Sequence, residues 1–202
     1  MDGAGVGRGG GAGLFADPDR REGRQAHSQE ARGRSVVKTG GKVGFAAAPV
    51  AVVLLIVAAL QVSEKRVHTT YWDKLGGLWT VCAGVTGPAA IPGKTYTDAE
   101  CERLEVAYVQ KMLARMGTCV KGEFEFHEIK AWGHFAYNVG TARFCSSTAA
   151  KRLNAGERKA ACAEISRFVY IGKKDCRLAA NQCPGIPKRR AWERATCEGT
   201  NQ

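Results

Sequence analysis

The pattern of apolar and polar positions divides the chain into three parts. Residues 1–42 show no apolar periodicity, and eleven of them are glycine. Residues 43–62 form an uncharged run of 20 that contains one proline, Pro49, and one glutamine, Gln61. From residue 63 onward, polar and apolar residues alternate or recur with helical spacing. The pattern therefore predicts a disordered basic tail at 1–42, a membrane-spanning segment at 43–62 and a folded domain at 63–202.

Most of the folded part is predicted to be helical. Thr97 and Glu100 match a capping box, and an apolar residue follows at every fourth position, which predicts a helix over about 98–116. That apolar stripe consists of Leu104, Tyr108, Met112 and Met116. A second helix is predicted over Glu125–Val139, ended by Gly140. Its inward face is expected to hold Trp132, Phe135, Ala136 and Val139. Shorter helices are predicted at 147–153, 157–171 and 187–197.

A small hairpin with two nearby carboxylates precedes the first of these helices. The run L-W-T-V-C at 78–82 alternates in polarity and follows Gly76 and Gly77, so it predicts one strand of a hairpin. Glu64 and Asp73 lie nine positions apart beside it. Glycoside hydrolysis needs one protonated carboxyl as acid and one ionised carboxylate to activate water or stabilise charge. Two solvated surface carboxylates would give the same spacing, so the pair alone does not identify an enzyme.

The charge of the chain predicts an anionic partner. The 202 residues carry a formal net charge of +11, which suits nucleic acid, anionic lipid or an acidic polymer such as the bacterial cell wall. Nucleic acid is disfavoured because the eight Lys and Arg of residues 1–42 are diluted by five Asp and Glu. We therefore expect no nucleic-acid partner.

All eight cysteines follow the apolar run, which indicates an oxidising compartment such as the periplasm. They are Cys82, Cys101, Cys119, Cys145, Cys162, Cys176, Cys183 and Cys197. Cys176 and Cys183 enclose a short polar loop and are predicted to form a local bridge. His68, His127 and His134 lack metal-ligand spacing on a shared helix, so we expect neither a metal nor a cofactor.

The apolar run can carry the domain across a membrane in three ways. Its 20 residues span about 30 Å as a helix, and Lys38 and Lys42 before it place the N-terminus in the cytoplasm. A permanent anchor and a cleaved signal peptide are both open, although the run is longer than the usual signal core and lacks an A-x-A end. Its many Gly and Ala residues also make it a marginal anchor that can leave the bilayer. For the tail, a natural start near Val36 or Val37 is an alternative.

Several motifs together resemble a known family. Glu64, Asp73 and Thr80 have eight and six residues between them and are followed by V-C-A-G-V-T-G. Further matching runs are G-K-T-Y-T-D-A-E-C at 93–101, A-Y-N-V-G at 136–140, F-C-S-S-T-A-A-K-R-L-N-A-G at 144–156 and R-R-A-W-E-R-A-T-C at 189–197. The chain resembles lambdoid-phage endolysins of the T-even-type lysozyme family, glycoside hydrolase family 24, over nearly all of residues 63–199.

This resemblance implies a fold and a catalytic set. The fold is α+β and lysozyme-like, with a small N-terminal lobe containing a β-hairpin, a long connecting helix and a mainly helical C-terminal lobe. Glu64 would be the general acid, Asp73 the second carboxylate and Thr80 the hydroxyl that holds the attacking water. Asn138 and Tyr71 would bind substrate, although a polar residue that closes a helix would explain Asn138 equally well.

The resemblance also implies a function and a route to it. The expected activity is an inverting muramidase that acts on peptidoglycan as a monomer and lyses the host at phage release. As in signal-anchor-release endolysins, the chain would sit in the host inner membrane and enter the periplasm when its anchor is released. Among the cysteines, Cys82, Cys101, Cys162 and Cys197 would be the commoner set, and Cys119 and Cys145 an added pair.

Three departures from the family pattern keep a second interpretation open. One extra residue separates Asp73 from Thr80, Lys65 stands where Gly is usual, and Val85 stands where His is common. The alternative is a membrane-tethered, disulfide-rich periplasmic module that binds the cell wall without cleaving it.

Overall fold

The computed structural model describes residues 41–74 and 76–200. The predicted tail falls outside the described residues except for its last two, Gly41 and Lys42. The helices are α1 (Val50–Ser63), α2 (Asp98–Cys119), α3 (Phe126–Val139), α4 (Thr141–Ser146), α5 (Thr148–Asn154), α6 (Arg158–Glu164) and α7 (Gly185–Cys197). The strands are β1 (Lys42–Val43), β2 (Val67–Asp73), β3 (Leu78–Cys82), β4 (Val85–Thr86), β5 (Phe124–Glu125), β6 (Tyr170–Ile171) and β7 (Lys174–Asp175).

The predicted α+β architecture is confirmed. Strands β2, β3 and β4 form an antiparallel sheet in chain order, and β1–β5 and β6–β7 form two small antiparallel pairs. Helix α2, 22 residues long, follows the three-stranded sheet and leads into the helical part. A small core lies under the sheet, and a larger one is built mainly from α1, α2 and α3.

The apolar run is shorter as a helix than the sequence pattern predicts. Val43 pairs with Phe124 in a two-stranded sheet, a 3-10 turn covers Phe45–Ala47, and α1 begins after Pro49. Proline cannot donate a backbone hydrogen bond, so it suits a helix start. In the part of the chain that the structure describes, no helix is both long enough and apolar enough to cross a bilayer.

One face of α1 belongs to the main core of the domain. Its buried side chains are Val52, Val53, Ile56, Val57 and Leu60. Two glycines permit the close packing of this segment. A Cβ on Gly133 of α3 would lie 2.6 Å from the Cδ1 atom of Ile56, and one on Gly117 of α2 would lie 3.0 Å from the Cβ atom of Ala46. Residues 43–62 and the following chain therefore share one core.

The capping box that predicts α2 is present. The Thr97 hydroxyl accepts from the Glu100 amide at 3.2 Å, and the Glu100 carboxylate accepts from the Thr97 amide at 2.8 Å. The helix runs three residues past the predicted end at 116. Met112 and Met116 are buried as expected, whereas Leu104 and Tyr108 are partly buried beside the small core.

The later helices follow the prediction with one error and one omission. Helices α3, α5 and α7 match the predicted segments within two residues at each end, and Trp132, Phe135 and Ala136 are buried. The predicted helix over 157–171 is wrong after residue 167. There the chain leaves a 3-10 turn and forms β6, because Gly172, with φ of 56°, turns it back into β7. Helix α4 was not predicted.

All eight cysteines are paired in four disulfides. Cys82–Cys101 joins the end of β3 to the start of α2, and Cys119–Cys145 joins the end of α2 to α4. Cys162–Cys197 joins α6 to α7, and Cys176–Cys183 closes the short polar loop.

Candidate active site

Glu64 is the residue that follows the last turn of α1. Its backbone is extended, with φ of −119° and ψ of 134°, while its amide still donates to the Leu60 carbonyl at 2.7 Å. Its side chain is one-third exposed, and its Oε1 atom lies 2.8 Å from Nη1 of Arg189 in α7. The helix end and Arg189 together fix where this carboxylate points.

The register of the hairpin places the other candidates on one face. Tyr71 pairs with Thr80, Trp72 with Trp79, and Asp73 with Leu78. Because side chains alternate across a strand, Tyr71, Asp73 and Thr80 lie on the same face. The two tryptophans occupy the opposite face, with ring centroids 5.5 Å apart.

Tyr71 links the hairpin face to Glu64 electrostatically. Partial burial raises the pKa of its phenol, and the negative charges of Asp73 and Glu64 raise that pKa further. A phenol responds to both charges only when both carboxylates are near it. Glu64 and Asp73 therefore both lie near the Tyr71 phenol.

The Gly-Gly turn leaves room for the Asp73 carboxylate. A Cβ on Gly76 would come within 2.8 Å of Oδ2 of Asp73, and the Gly77 amide donates to the Asp73 carbonyl at 2.7 Å. Pairing is regular from Tyr71 to Asp73 and from Leu78 to Thr80. The extra residue between Asp73 and Thr80 is therefore consistent with a longer connection over residues 74–77.

Thr80 is buried in the middle of this sheet. Its side chain is 4% exposed, and its hydroxyl donates to the Leu78 carbonyl at 3.4 Å. It pairs with Tyr71 on one side and with Thr86 of β4 on the other. A long intrastrand bond of this kind can be exchanged for a bond to a bound water.

Tyr137 belongs to the same group, although the sequence pattern did not single it out. Its hydroxyl donates to the Ala83 carbonyl at 2.8 Å, and its ring packs edge-on against Tyr108 at 5.3 Å. Burial raises its pKa strongly, with smaller contributions from Tyr108, Glu105 and Glu64. The phenol therefore stays neutral and acts as a hydrogen-bond donor behind the site.

Glu105 connects the three elements around the site. Its carboxylate accepts from Arg66 Nε at 3.1 Å and Nη2 at 2.7 Å, and from Gln61 at 3.2 Å. It also accepts from the Ala83 amide at 3.1 Å. One buried carboxylate on α2 thus holds the end of α1, the start of β2 and the turn after β3. The sequence alone does not reveal this role of Glu105, because its partners come from other elements of the fold.

Asn138 and the histidines have partners of their own. The exposed Asn138 accepts from Arg190 at 2.6 Å through its side-chain oxygen. His68 lies 3.0 Å from Asp98, and His134 is buried between Ser63 and Glu193. Within residues 41–74 and 76–200, no cluster of three or more His, Cys, Asp or Glu side chains has the arrangement of a metal site.

Comparison with known proteins gives consistent matches. The family model described as phage lysozyme matches residues 62–193. A protein named SAR-endolysin from Escherichia phage 933W is 34% identical over 140 residues, which cover 67% of this chain and 79% of that protein. A SAR-endolysin from bacteriophage PS119 is 36% identical over 130 residues, covering 64% and 73% respectively.

Solved structures share the fold at lower identity. The muramidase domain of SpmX from Asticaccaulis excentricus superposes with a TM-score of 0.60 at 20% identity, covering 73% of this chain and 94% of that domain. A mutant of P22 lysozyme gives a TM-score of 0.58 at 21% identity, covering 71% and 94%. These likenesses show the lysozyme-like fold that the sequence motifs imply.

Proposed function

Because this chain belongs to the phage lysozyme family, we propose that it is an endolysin muramidase, a glycosidase that lyses the host cell. It hydrolyses the β-1,4 bond between N-acetylmuramic acid and N-acetylglucosamine in peptidoglycan. The match of residues 62–193 to the phage lysozyme family carries this proposal, and the hairpin register, which puts Tyr71, Asp73 and Thr80 on one face, supports it. Two carboxylates in one site are what glycoside hydrolysis requires.

The residues divide the reaction between them. Protonated Glu64 gives its proton to the glycosidic oxygen as the bond to the anomeric carbon breaks. Ionised Asp73 takes a proton from the water that adds to that carbon, and the Thr80 hydroxyl orients this water. The contact between Arg189 and Glu64 fixes the direction of the acid before substrate binds. We assign to Tyr71, which lies on the same face and is 43% exposed, a contact with the sugar.

We propose inversion of configuration at the anomeric carbon. In inverting enzymes the water attacks from the face opposite the leaving group, and the two carboxyls are about 6.5–9.5 Å apart to make room for it. Proton NMR of the first reducing ends formed from a soluble peptidoglycan oligosaccharide tests this directly. The α-anomer should appear first, and early appearance of the β-anomer would show retention instead.

The exposed face of helix α1 is apolar, as expected for a segment that also contacts lipid. A surface helix of a soluble domain usually has a polar outer face. The outer face of α1 instead exposes Val50 by 57%, Leu54 by 43%, Leu55 by 49% and Val62 by 91%. A segment that is apolar on all sides is suited to lipid, and the matched phage relatives are named SAR-endolysins.

From this we infer that residues 43–62 first anchor the chain in the host inner membrane, with the N-terminus in the cytoplasm. On release into the periplasm the same segment packs into the domain core. In the bilayer Glu64, two residues after the segment, is held at the headgroups, away from Asp73. Docking of α1 brings Glu64 to the hairpin and completes the site.

Substitution on the outer face of α1 tests the anchor without changing the core. Ala51 and Ala58 are exposed, so Ala51→Leu with Ala58→Leu strengthens membrane retention and leaves the packed face intact. Expressed in cells, this variant should lyse later than the parent, while the purified protein keeps its activity. The matched pair Ala51→Ser and Ala58→Ser should lyse earlier. Identical lysis times in all three would contradict the anchor.

Digestion of purified peptidoglycan tests the catalytic assignment. The oxidised chain should release reducing muropeptides, and Asp73→Asn should lower the rate by about 100-fold or more, as expected for loss of a general base. A folded parent that sediments with peptidoglycan but releases no reducing ends would instead favour the non-catalytic cell-wall-binding module.

A further inference from the structure

Ser63, the residue before Glu64, begins a series of polar contacts that runs through His134 to Glu193. The Ser63 hydroxyl is 2.9 Å from Nε2 of His134, and Nδ1 of His134 is 2.7 Å from Oε1 of Glu193. His134 and Glu193 are 1% and 0% exposed. Because Glu193 is a carboxylate and accepts, Nδ1 of His134 carries a proton toward it, and Nε2 faces the Ser63 hydroxyl. This Ser63–His134–Glu193 series joins the end of α1 to α3 and α7.

Glu193, at the far end of this series from Ser63, is also held in place. Oε2 of Glu193 lies 3.1 Å from Nε of the buried Arg190, whose Nη2 atom donates to Asn138 at 2.6 Å. The Trp192 ring packs edge-on against His134, with centroids 4.8 Å apart. Imidazole orientation is therefore set from three sides, and His134 presents Nε2 to Ser63 in one direction.

The distances alone would also suit a serine nucleophile, but the surroundings do not. A nucleophile needs N–H donors aimed at the developing oxyanion. Ser63 is the last residue of α1, where backbone carbonyls gather and the helix dipole is negative. The following amide, that of Glu64, is already bonded to Leu60. This hydroxyl consequently serves as a fixed hydrogen-bonding group.

Ser63 is held at both its side chain and its backbone. Its hydroxyl also lies 3.2 Å from the Leu60 carbonyl, and its own carbonyl accepts from Nη2 of Arg189 at 3.3 Å. Arg189 uses its other terminal nitrogen, Nη1, to bind the Glu64 carboxylate. The backbone of Ser63 and the side chain of Glu64 therefore share one guanidinium.

We propose that Ser63, His134 and Glu193 are positioning residues for the acid Glu64. They lock the last residue of α1 so that the next side chain points to the hairpin and to Arg189. The lock forms only when α1 is docked, because Ser63 lies on α1 and its partners lie on α3 and α7. This inference rests on the proposed muramidase function and adds three residues that act through Glu64.

Kinetics of Ser63→Ala test the lock, with Ser146→Ala as the matched control. Ser146 also ends a helix and also donates to a carbonyl three residues earlier at 3.2 Å, but it is exposed and lies on α4. Ser63→Ala should lower kcat about tenfold with KM nearly unchanged, since a misplaced catalytic group can cost up to about 100-fold. Ser63→Thr, which keeps the hydroxyl, should restore most of kcat, and Ser146→Ala should match the parent.

Two results would overturn the proposal in an active enzyme. One is a kcat of Ser63→Ala within about twofold of Ser146→Ala, and the other is a folded Ser63→Thr that stays as slow as Ser63→Ala. The ¹⁵N chemical shift of His134 Nε2 gives a reading that does not depend on activity, and it should change on Ser63→Ala. An inactive parent would refute the muramidase function, whereas an unchanged shift would refute the contact itself.

Discussion

Glu105 is a buried carboxylate whose partners come from three separate elements. Replacing Glu105 by Ala removes the carboxylate that pairs with Arg66. The Ala83 amide and the Gln61 side chain lose the same hydrogen-bond acceptor. Breaking a buried ion pair costs about 3–5 kcal/mol, and Arg66 is 21% exposed, so we expect a loss of about 3 kcal/mol in unfolding free energy. Urea unfolding of Glu105→Ala measures this loss.

The matched control is Glu102→Ala. Glu102 lies one turn earlier on α2 and is exposed, so its replacement should change stability by less than about 0.5 kcal/mol. Equal midpoints for the two variants would show that Glu105 does not hold these elements together.

Glu100 makes the start of α2 sensitive to acid. The Thr97 amide, followed by the Lys94 ammonium and the Thr97 hydroxyl, lowers the pKa of Glu100 from 4.5 to about 2. A folded-state pKa below the unfolded value gives stability that is present above pH 4.5 and is lost as pH falls toward 2. Glu100→Gln should remove this part of the pH dependence. Thermal midpoints between pH 5 and pH 2 should fall less steeply for Glu100→Gln than for Glu102→Gln, and parallel slopes would contradict the assignment.

At the residue scale, the sequence indicates those parts of the candidate site that are close along the chain. Glu64, Tyr71, Asp73 and Thr80 fall within one short stretch, and hairpin register alone places the last three on a shared face. Arg189 reaches Glu64 from the far end of the chain, so its role depends on how α7 packs. Glu105 and Tyr137 likewise act through tertiary contacts that no local pattern reveals.

Helix α1 packs closely against α3 at Gly133. A Cβ on Gly133 would approach the Cδ1 atom of Ile56 to 2.6 Å. Gly133→Ala improves helix propensity by about 1 kcal/mol, but overpacking a core costs about 1–3 kcal/mol. We therefore expect a net loss of stability and, because α1 carries Glu64, a lower kcat. Thermal unfolding and turnover on peptidoglycan measure both.

Gly185→Ala is the control for this substitution. Gly185 begins α7, and a Cβ there would meet no atom within 4 Å. This change should leave stability equal to or slightly above that of the parent. If Gly133→Ala behaved in the same way, the close α1–α3 contact would not constrain the position of Glu64.

Among the elements, those with complete local signals were the predictable ones. Helix α2 has a capping box and a long apolar stripe, and α3 ends at Gly140, with φ of 88°. The error over 168–171 arose because apolar spacing continues past Arg167, while Gly172 reverses the chain into a hairpin. By composition alone the apolar run predicts a membrane helix, whereas the packing of one of its faces into the domain core is visible only in the fold.

At the scale of the whole molecule, the apolar segment 43–62 and the residues that follow it form one domain. Residues 43–62 contribute Phe45, Val52, Val53, Ile56, Val57 and Leu60 to the core, all at most 3% exposed. Each such side chain contributes about 1.5–3 kcal/mol, and a domain is stable by only about 5–15 kcal/mol. A chain beginning at Ser63 should therefore show no cooperative unfolding transition. A chain beginning at Gly41 should unfold cooperatively. Cooperative unfolding of both would place α1 outside the folding unit.

Lysis of permeabilised cells tests most directly the claim that Glu64, presented by the docked α1, is the catalytic acid. The measurement is turbidity loss of Gram-negative cells with a permeabilised outer membrane, treated with the oxidised parent, with Glu64→Gln or with the control Glu102→Gln. We predict that the parent and Glu102→Gln clear the suspension while Glu64→Gln, equally folded, does not. Clearing by all three would show that another residue supplies the proton, and clearing by none would contradict the muramidase function itself.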